Sequence, residues 1–155
     1  HRLDPGLAEL AARARRAGWL VEILSDGLDV YIDALLFRAG IRLPVRASRI
    51  EARGAEARIR TPHMNPLCGR CGTCKSDRIE FLARAGYNVV FVGDGHSDLC
   101  AAPKAHRIFA KDILARHLAE RGVAFEPFST LRDVVTALFG AETEREKPHG
   151  PQPRP

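Results

Sequence analysis

The chain has 155 residues and 45% hydrophobic residues, which suffices for one globular domain with a core but not for two ordinary domains. The formal net charge is +5, yet the arginines are scattered along predicted helices as on a solvated face, which argues against nucleic-acid binding. No apolar run approaches the ~20 residues that span a bilayer and no signal peptide opens the chain, so we expect a cytoplasmic protein without membrane contact.

The first predicted elements are a helix and a strand. Asp4 as N-cap and Pro5 as the first helical residue predict an amphipathic helix that ends at Gly18. A run of apolar residues over 19–24 then predicts a strand. The chain begins at His1 without a methionine, so we expect it to be a piece of a longer protein.

The next predicted segments are a turn, a helix, a hairpin and a loop. Ser25, Asp26 and Gly27 predict the turn, and apolar residues at helical spacing predict a helix over 28–40. Weak alternation over 45–59 predicts a short hairpin rather than a core element, and residues 61–74 form a loop rich in Pro, Gly and Cys.

Helices and strands alternate through the second half of the chain. The pattern predicts helices over 76–85, 112–121 and 130–139, a short helix from about Ser97, and strands over 89–92, 107–109 and 123–125. Strands alternating with helices predict an α/β fold with a mainly parallel sheet. We expect a domain over 1–139 and a disordered tail over 140–155, where Pro and charged residues cannot bury apolar surface.

Two carboxylates follow the strand predicted over 89–92. Asp94 lies between two glycines at the carboxyl end of the strand, and Asp98 follows four residues later. Because Mg²⁺ takes one or two carboxylates together with water and a substrate phosphate, the pair suggests a Mg²⁺ site. The alternative is structural, with Asp94 shaping the turn and Asp98 complementing a helix N-terminus.

Two further segments suggest phosphate binding. Ser25, Asp26 and Gly27 place a hydroxyl and backbone N–H groups where a helix begins; the alternative is that Ser25 or Asp26 is a simple N-cap. Lys75 precedes a predicted helix N-terminus, where a cation costs about 0.3–1 kcal/mol unless an anion compensates it.

A cysteine-rich segment, CGRCGTC, allows two interpretations. Cys68, Cys71 and Cys74 have a spacing that suits Zn²⁺, and His63 offers a fourth ligand. Reduced thiols that pack a loop beside the site are the alternative. Cys100 is expected in the core.

These motifs together resemble those of haloacid dehalogenase-like phosphatases. Ser25 in ILSDG, Lys75 in CGTCKSDRI, and Asp94 with Asp98 in GDGHSD occur in the order that this superfamily uses, over nearly all of residues 3–139. The segments look most like its phosphoserine phosphatase-like branch and, within that branch, the phosphatases of methionine salvage. The resemblance implies a Rossmannoid three-layer core and a small phosphorylated metabolite as substrate. Two alternatives of other classes are a zinc-stabilised binding module and a basic nucleic-acid-binding domain.

The resemblance also implies a role for each residue. Ser25, with the backbone of Asp26 and Gly27, would hold the transferring phosphoryl group, and Lys75 would neutralise it together with the attacking carboxylate. Asp94 would ligate Mg²⁺, and Asp98 would ligate it through water or hold Lys75 in place.

One part of the family pattern is missing from this sequence. The superfamily's first motif, a DxDG-type strand end that holds the nucleophilic aspartate, lies upstream of a cap domain and does not occur here. We therefore expect a core truncated at its N-terminus, inactive alone, with a gap at the centre of its sheet. Unpaired strands beside the gap predict a marginally folded or aggregation-prone chain.

Overall fold

The computed structural model describes residues 3–54 and 56–140. Five α-helices, six strands and two short 3-10 helices follow one another in these residues. The helices are α1 (Leu7–Arg16), α2 (Asp29–Arg38), α3 (Lys75–Arg84), α4 (Asp112–Glu120) and α5 (Leu131–Phe139), with 3-10 turns at His96–Asp98 and Ala102–Lys104. The strands are β1 (Ile23–Leu28), β2 (Val45–Arg53), β3 (Glu56–Arg60), β4 (Val90–Gly93), β5 (Arg107–Ala110) and β6 (Glu126–Pro127). The disordered tail predicted beyond Gly140 lies outside the described residues.

The strands form two separate three-stranded sheets. One has the order β1-β2-β3 and the other β4-β5-β6, and within the described residues no ladder joins β1 to β4. The pairings β1–β2, β4–β5 and β5–β6 are parallel, while β2–β3 is antiparallel. The predicted α/β fold with mainly parallel pairing is confirmed.

The larger part of the core surrounds the second sheet. Its buried cluster comes from α3, β4, β5, α4 and the turn between β4 and β5: Ile79, Phe91, Ala101, Ala102, Ile108, Ala110, Leu114 and Leu118. On β5 the consecutive residues Ile108, Phe109 and Ala110 are all buried, so both faces of this strand are covered, as in a parallel sheet. The core therefore fixes the carboxyl end of β4, where Asp94 and Asp98 lie.

The predicted strand over 19–24 is wrong in position. Pairing with β2 begins only at Ile23, opposite Val45, and continues to Leu28. Trp19 instead packs its ring against that of Phe139 in α5, with centroids 4.9 Å apart. The apolar start of the segment thus serves the contact between α1 and α5, and residues 25–27 become part of the strand rather than a turn after it.

Two other expectations change at their edges. The hairpin over 45–59 is confirmed, but β2 also pairs with β1 and buries Ala47 and Ser48, so its first half belongs to the core after all. The last strand lies at Glu126–Pro127 rather than over 123–125. The apolar residues Val123 and Phe125, which suggested the strand, pack against the core cluster just before it.

The beginning of α1 also differs from the prediction. Helix α1 starts at Leu7 with Gly6 as its N-cap, and no side chain caps it. Asp4 contributes only its backbone carbonyl to α1, which accepts the N–H of Leu7 at 3.1 Å. The Asp4 carboxylate accepts hydrogen bonds from the backbone N–H of Gly6 at 2.8 Å and of Leu131 at 3.1 Å. Because Leu131 is the first residue of α5, Asp4 ties the two ends of the domain together.

Candidate active site

The turn after β4 is built around the buried carboxylate of Asp98. Its Oδ2 accepts hydrogen bonds from the backbone N–H of Asp94 at 3.0 Å and of Gly95 at 2.9 Å. Gly93 must lack a side chain, because a Cβ there would approach the Asp98 carboxyl carbon to 2.8 Å. Gly93 of the GDG motif therefore lets the chain fold closely over Asp98.

Lys75 reaches this turn from the first position of α3. Its Nζ donates to Asp98 Oδ1 at 2.5 Å and to Ser97 Oγ at 2.8 Å. The side chains of Lys75 and Asp98 are only 9% and 5% exposed. Asp98 thus supplies the negative charge that a lysine at a helix N-terminus requires.

Asp94 stands in a different environment from Asp98. It is exposed at the carboxyl end of β4, and its backbone carbonyl accepts the N–H of Leu114 in α4 at 3.1 Å. Its exposed carboxylate fits Mg²⁺, which takes one or two carboxylates and completes its shell with water and phosphate. Both oxygens of Asp98 are already hydrogen-bonded, so the structure favours Asp98 as the residue that holds Lys75.

The described residues contain no group of three or more His, Cys, Asp or Glu side chains arranged to hold a metal ion. A Mg²⁺ ion at Asp94 would therefore need further ligands. Mg²⁺ commonly takes these from water and from the phosphate of the substrate.

Ser25, Asp26 and Gly27 form a bulge in β1 and not the predicted turn. Leu24 pairs with Arg46 and Leu28 with Ser48, so β1 takes four residues where β2 takes two. The backbone N–H of Gly27 donates to Ser25 Oγ at 3.0 Å. The bulge leaves Asp26 and Gly27 exposed at the carboxyl end of the first sheet.

Asp26 connects this bulge to the segment that carries Lys75. Its Oδ1 accepts the backbone N–H of Thr73 at 2.9 Å, two residues before Lys75. A Cβ on the neighbouring Gly72 would approach Ser48 Oγ to 2.6 Å, so the loop lies tightly against β2. The structure therefore brings Lys75, Asp98 and the Asp94 turn together directly and links the Ser25 bulge to them through Asp26.

The zinc site predicted from Cys68, Cys71, Cys74 and His63 is not supported by the described residues, where no such metal-binding group is assembled. Burial raises the pKa of the Cys71 and Cys74 thiols. The His63 ring lies 3.4 Å from an Arg46 nitrogen, and burial together with that guanidinium lowers the pKa of His63. All three cysteines are free.

Cys100 is exposed, so its predicted place in the core is wrong. The core positions after the 3-10 turn are filled instead by its successors Ala101 and Ala102, which are completely buried.

A cavity of about 200 Å³ lies beside Lys75. Its lining combines cations, thiols and small polar groups: Asn65, Cys68, Arg70, Cys71, Cys74, Lys75, Ser76, Asp77, Ser97, Cys100 and Lys104. A larger cavity of about 670 Å³, between α2 and the loop that leads to β2, contains none of the predicted site residues.

A charged cluster beneath the site escaped the sequence analysis. Glu22 accepts a hydrogen bond from Arg46 Nε at 3.3 Å and two from Arg78, one of them at 2.8 Å. Arg78 lies one turn after Lys75 on α3, so the cluster anchors that helix to the first sheet. In the sequence, Glu22 stands out only as the single acidic residue in the apolar run WLVEIL.

Comparison with known proteins identifies the family. Residues 1–103 match the family model for haloacid dehalogenase-like hydrolases. The chain belongs to the haloacid dehalogenase-like hydrolase family, as the Ser25, Lys75 and Asp94–Asp98 motifs predicted.

Curated relatives give a narrower likeness. A 2-hydroxy-3-keto-5-methylthiopentenyl-1-phosphate phosphatase from Geobacillus kaustophilus is 34% identical over 142 residues, which are 88% of this chain and 63% of the relative. A phosphatase of the same name from Exiguobacterium sibiricum is 29% identical over 90% of this chain and 65% of its own. The chain thus spans just under two thirds of the length of these relatives.

Solved structures share the fold. A probable phosphoserine phosphatase from Vibrio cholerae superposes with a TM-score of 0.67 at 24% identity, covering 90% of this chain and 43% of the other. An apo phosphoserine phosphatase gives a TM-score of 0.59 at 20% identity over 86% of this chain and 66% of the other. These neighbours support the predicted haloacid dehalogenase-like core.

Proposed function

We propose that this chain is the core of a Mg²⁺-dependent phosphomonoester hydrolase that acts through an aspartyl-phosphate intermediate. The observation that carries the proposal is the buried Lys75–Asp98 pair, held at 2.5 Å beneath the exposed Asp94. The family membership and the phosphatase names of the relatives support it. We further propose that the nucleophilic aspartate comes from residues outside this chain, since the DxDG-type motif is absent from the sequence.

Each residue of the site then has a role in phosphoryl transfer. The Lys75 ammonium would neutralise the charge that develops between the attacking carboxylate and the phosphoryl oxygens, and Asp98 with Ser97 would hold that ammonium in place. Ser25 Oγ accepts the Gly27 N–H, which leaves its own hydrogen free to donate to a phosphoryl oxygen. Asp94 would hold Mg²⁺, which when bound supplies positive charge at the phosphate.

We propose a small phosphorylated metabolite as the substrate. The chemical class suggested by the curated relatives is a phosphorylated keto compound of methionine salvage.

Turnover of a generic aryl phosphate with Mg²⁺ tests the proposal. The assay compares the present chain with a longer protein extended upstream through a DxDG-type motif and a cap. We expect turnover from the longer protein alone, and a loss of about 10²–10³-fold when Lys75→Met removes the ammonium. Asp94→Asn should abolish the Mg²⁺-dependent rate, whereas Asp33→Asn, an equally exposed acid on α2, should leave it unchanged.

Two results would contradict the proposal. One is inactivity of the longer protein towards a broad panel of phosphate esters. The other is an Asp94→Asn variant that retains the full rate at every Mg²⁺ concentration.

A further inference from the structure

The cavity of about 200 Å³ beside Lys75 shares part of its wall with the candidate active site. Lys75 and Ser97, which are hydrogen-bonded to each other, both line it. Its volume has room for roughly six groups the size of a water molecule. A group bound in this cavity therefore lies next to whatever the Lys75 ammonium contacts. The roles proposed above assign nothing to this space.

Several polar side chains of the cavity wall are already paired within the protein. The Asn65 amide donates to both carboxylate oxygens of Asp77, at 3.1 and 2.9 Å. Lys104 forms an ion pair with Glu80 of α3, and Lys75 is held by the hydrogen bonds described above. These side chains therefore have little capacity left for a ligand in the cavity.

Ser76, in the first turn of α3, is a buried exception. Only 9% of its surface is exposed, yet within residues 3–54 and 56–140 its hydroxyl has no hydrogen-bond partner. In the same part of the chain no fully occluded side-chain oxygen lacks a partner, so Ser76 Oγ keeps some accessible surface. Ser76 lines the cavity, and a buried polar group without a protein partner normally binds water or a ligand. The hydroxyl thus indicates an occupant that forms hydrogen bonds.

Arg70, in the loop before α3, adds an unpaired positive charge to the same wall. Its guanidinium forms no ion pair and no hydrogen bond with the residues that the structure describes. A guanidinium has five N–H donors and no acceptor, and the Ser76 hydroxyl adds a further donor. Donors without partners favour a group that carries several oxygen acceptors over an apolar group.

We propose that Arg70 and Ser76 bind the carbonyl and hydroxyl oxygens of a hydroxy-keto phosphate ester whose phosphoryl group contacts Lys75. The inference rests on the proposed function, because it takes Lys75 as the phosphoryl contact and a phosphorylated keto compound as the substrate. Arg70 and Ser76 then determine specificity: they select esters by the oxygens that lie near the phosphate, and an aryl phosphate lacks these oxygens.

A ratio of two specificity constants tests this selection in the longer protein. The ratio divides kcat/KM for dihydroxyacetone phosphate, a small hydroxy-keto ester, by kcat/KM for 4-nitrophenyl phosphate. We expect Arg70→Gln to lower the ratio about tenfold or more, because hydrogen bonds from a charged donor are lost, and Ser76→Ala to lower it about two- to tenfold. Arg116→Gln, at an exposed arginine of α4 that does not line the cavity, should leave the ratio unchanged. An unchanged ratio in both cavity variants would overturn the proposal.

Thiol labelling locates the ester without any assay of activity. Cys100 is exposed, lines the same cavity and is the only cysteine of tryptic peptide 85–104. Without Mg²⁺, dihydroxyacetone phosphate at about ten times its Kd should slow alkylation of this peptide by iodoacetamide about tenfold. Inorganic phosphate, which lacks the carbon-bound oxygens, should not slow it, and Arg70→Gln should remove the protection by the ester.

The two measurements separate this proposal from the proposed function. Absence of turnover for both esters in the unmodified longer protein would count against the proposed function, and the labelling would still decide whether the cavity holds the ester. Alkylation of Cys100 at the same rate with and without dihydroxyacetone phosphate would overturn the assignment of the cavity. Equal protection by inorganic phosphate would overturn the recognition of the carbonyl and hydroxyl oxygens.

Discussion

Asp94 and Asp98 are four residues apart and chemically identical, yet they have opposite surroundings. Asp98 is buried with both oxygens hydrogen-bonded, one of them to the Lys75 ammonium, whereas Asp94 is exposed. Removing one partner of a buried ion pair leaves an uncompensated charge, so we expect Asp98→Asn to lower the free energy of unfolding by about 3–5 kcal/mol. Asp94→Asn should change it by less than about 0.5 kcal/mol. Urea denaturation of both variants measures the difference, and equal midpoints would contradict this view of the turn.

For individual residues, the sequence predicted which side chains belong to the candidate site better than it predicted their hydrogen-bond partners. Lys75 and Asp98 were expected at one site because the resemblance implies it, with Asp98 either ligating Mg²⁺ through water or holding Lys75 in place. The structure shows a direct contact between the Lys75 ammonium and the Asp98 carboxylate. Ser97 and Glu22 were not predicted as site residues, because Ser97 marked only the start of a short helix and Glu22 appeared only as the single acid in the apolar run WLVEIL. Their roles depend on a neighbouring strand and helix, which no local pattern reveals.

At the scale of elements, the Glu22 carboxylate joins the chain just before β1 to β2 and α3. Hydrogen bonds from Arg78 are the main cause that lowers the pKa of Glu22 below its usual 4.5, and Arg46 adds to the effect. A carboxyl whose pKa is lower in the folded state contributes stability above its unfolded pKa and loses it as the pH falls through the folded value. The stabilisation should therefore be complete at neutral pH and disappear progressively below about pH 4.5.

The variant Glu22→Gln tests this cluster. We expect it to lower the free energy of unfolding at pH 7 by roughly 1.5–3 kcal/mol, since hydrogen bonds to a charged group are lost. It should also flatten the decline of stability below pH 4.5, measured by denaturation at a series of pH values. Glu56→Gln is the matched control, because the pair of Glu56 with Arg58 is 73% and 78% exposed and should contribute little. The same acid slope in Glu22→Gln and the unmodified chain would refute the role of the cluster.

The elements themselves were predicted more reliably than their ends. All five helices and the hairpin lie where their periodicity placed them, because amphipathic spacing and glycine stops are local signals. Strand β1 was placed too early because Trp19 and Leu20 are as apolar as strand residues, although they lie outside the sheet and are about half exposed. Only pairing with β2 reveals that the strand begins at Ile23 and contains a bulge.

For the whole molecule, the division into two sheets is the decisive feature. Within the described residues β1 pairs only with β2 and β4 only with β5, so each sheet has a parallel strand whose other edge has no ladder partner there. The unpaired N–H and C=O groups of such an edge strand can pair with a strand of another chain, which leads to association. Large apolar side chains add to the exposure, among them Phe37 at 86% and Leu67 at 97%.

We therefore expect the 155-residue chain by itself to unfold over a broad thermal transition and to associate as its concentration rises. A strand that pairs with both β1 and β4 would satisfy their backbone groups and join the two sheets into one core, so the longer protein should melt sharply as a single unit. Scanning calorimetry and sedimentation velocity on the two proteins measure both effects. A sharp, cooperative melt of the monomeric chain alone would show that the two sheets already form one stable core. In that case the stability of the fold would not require a further strand between β1 and β4. The DxDG-type nucleophile motif would still be absent from the sequence.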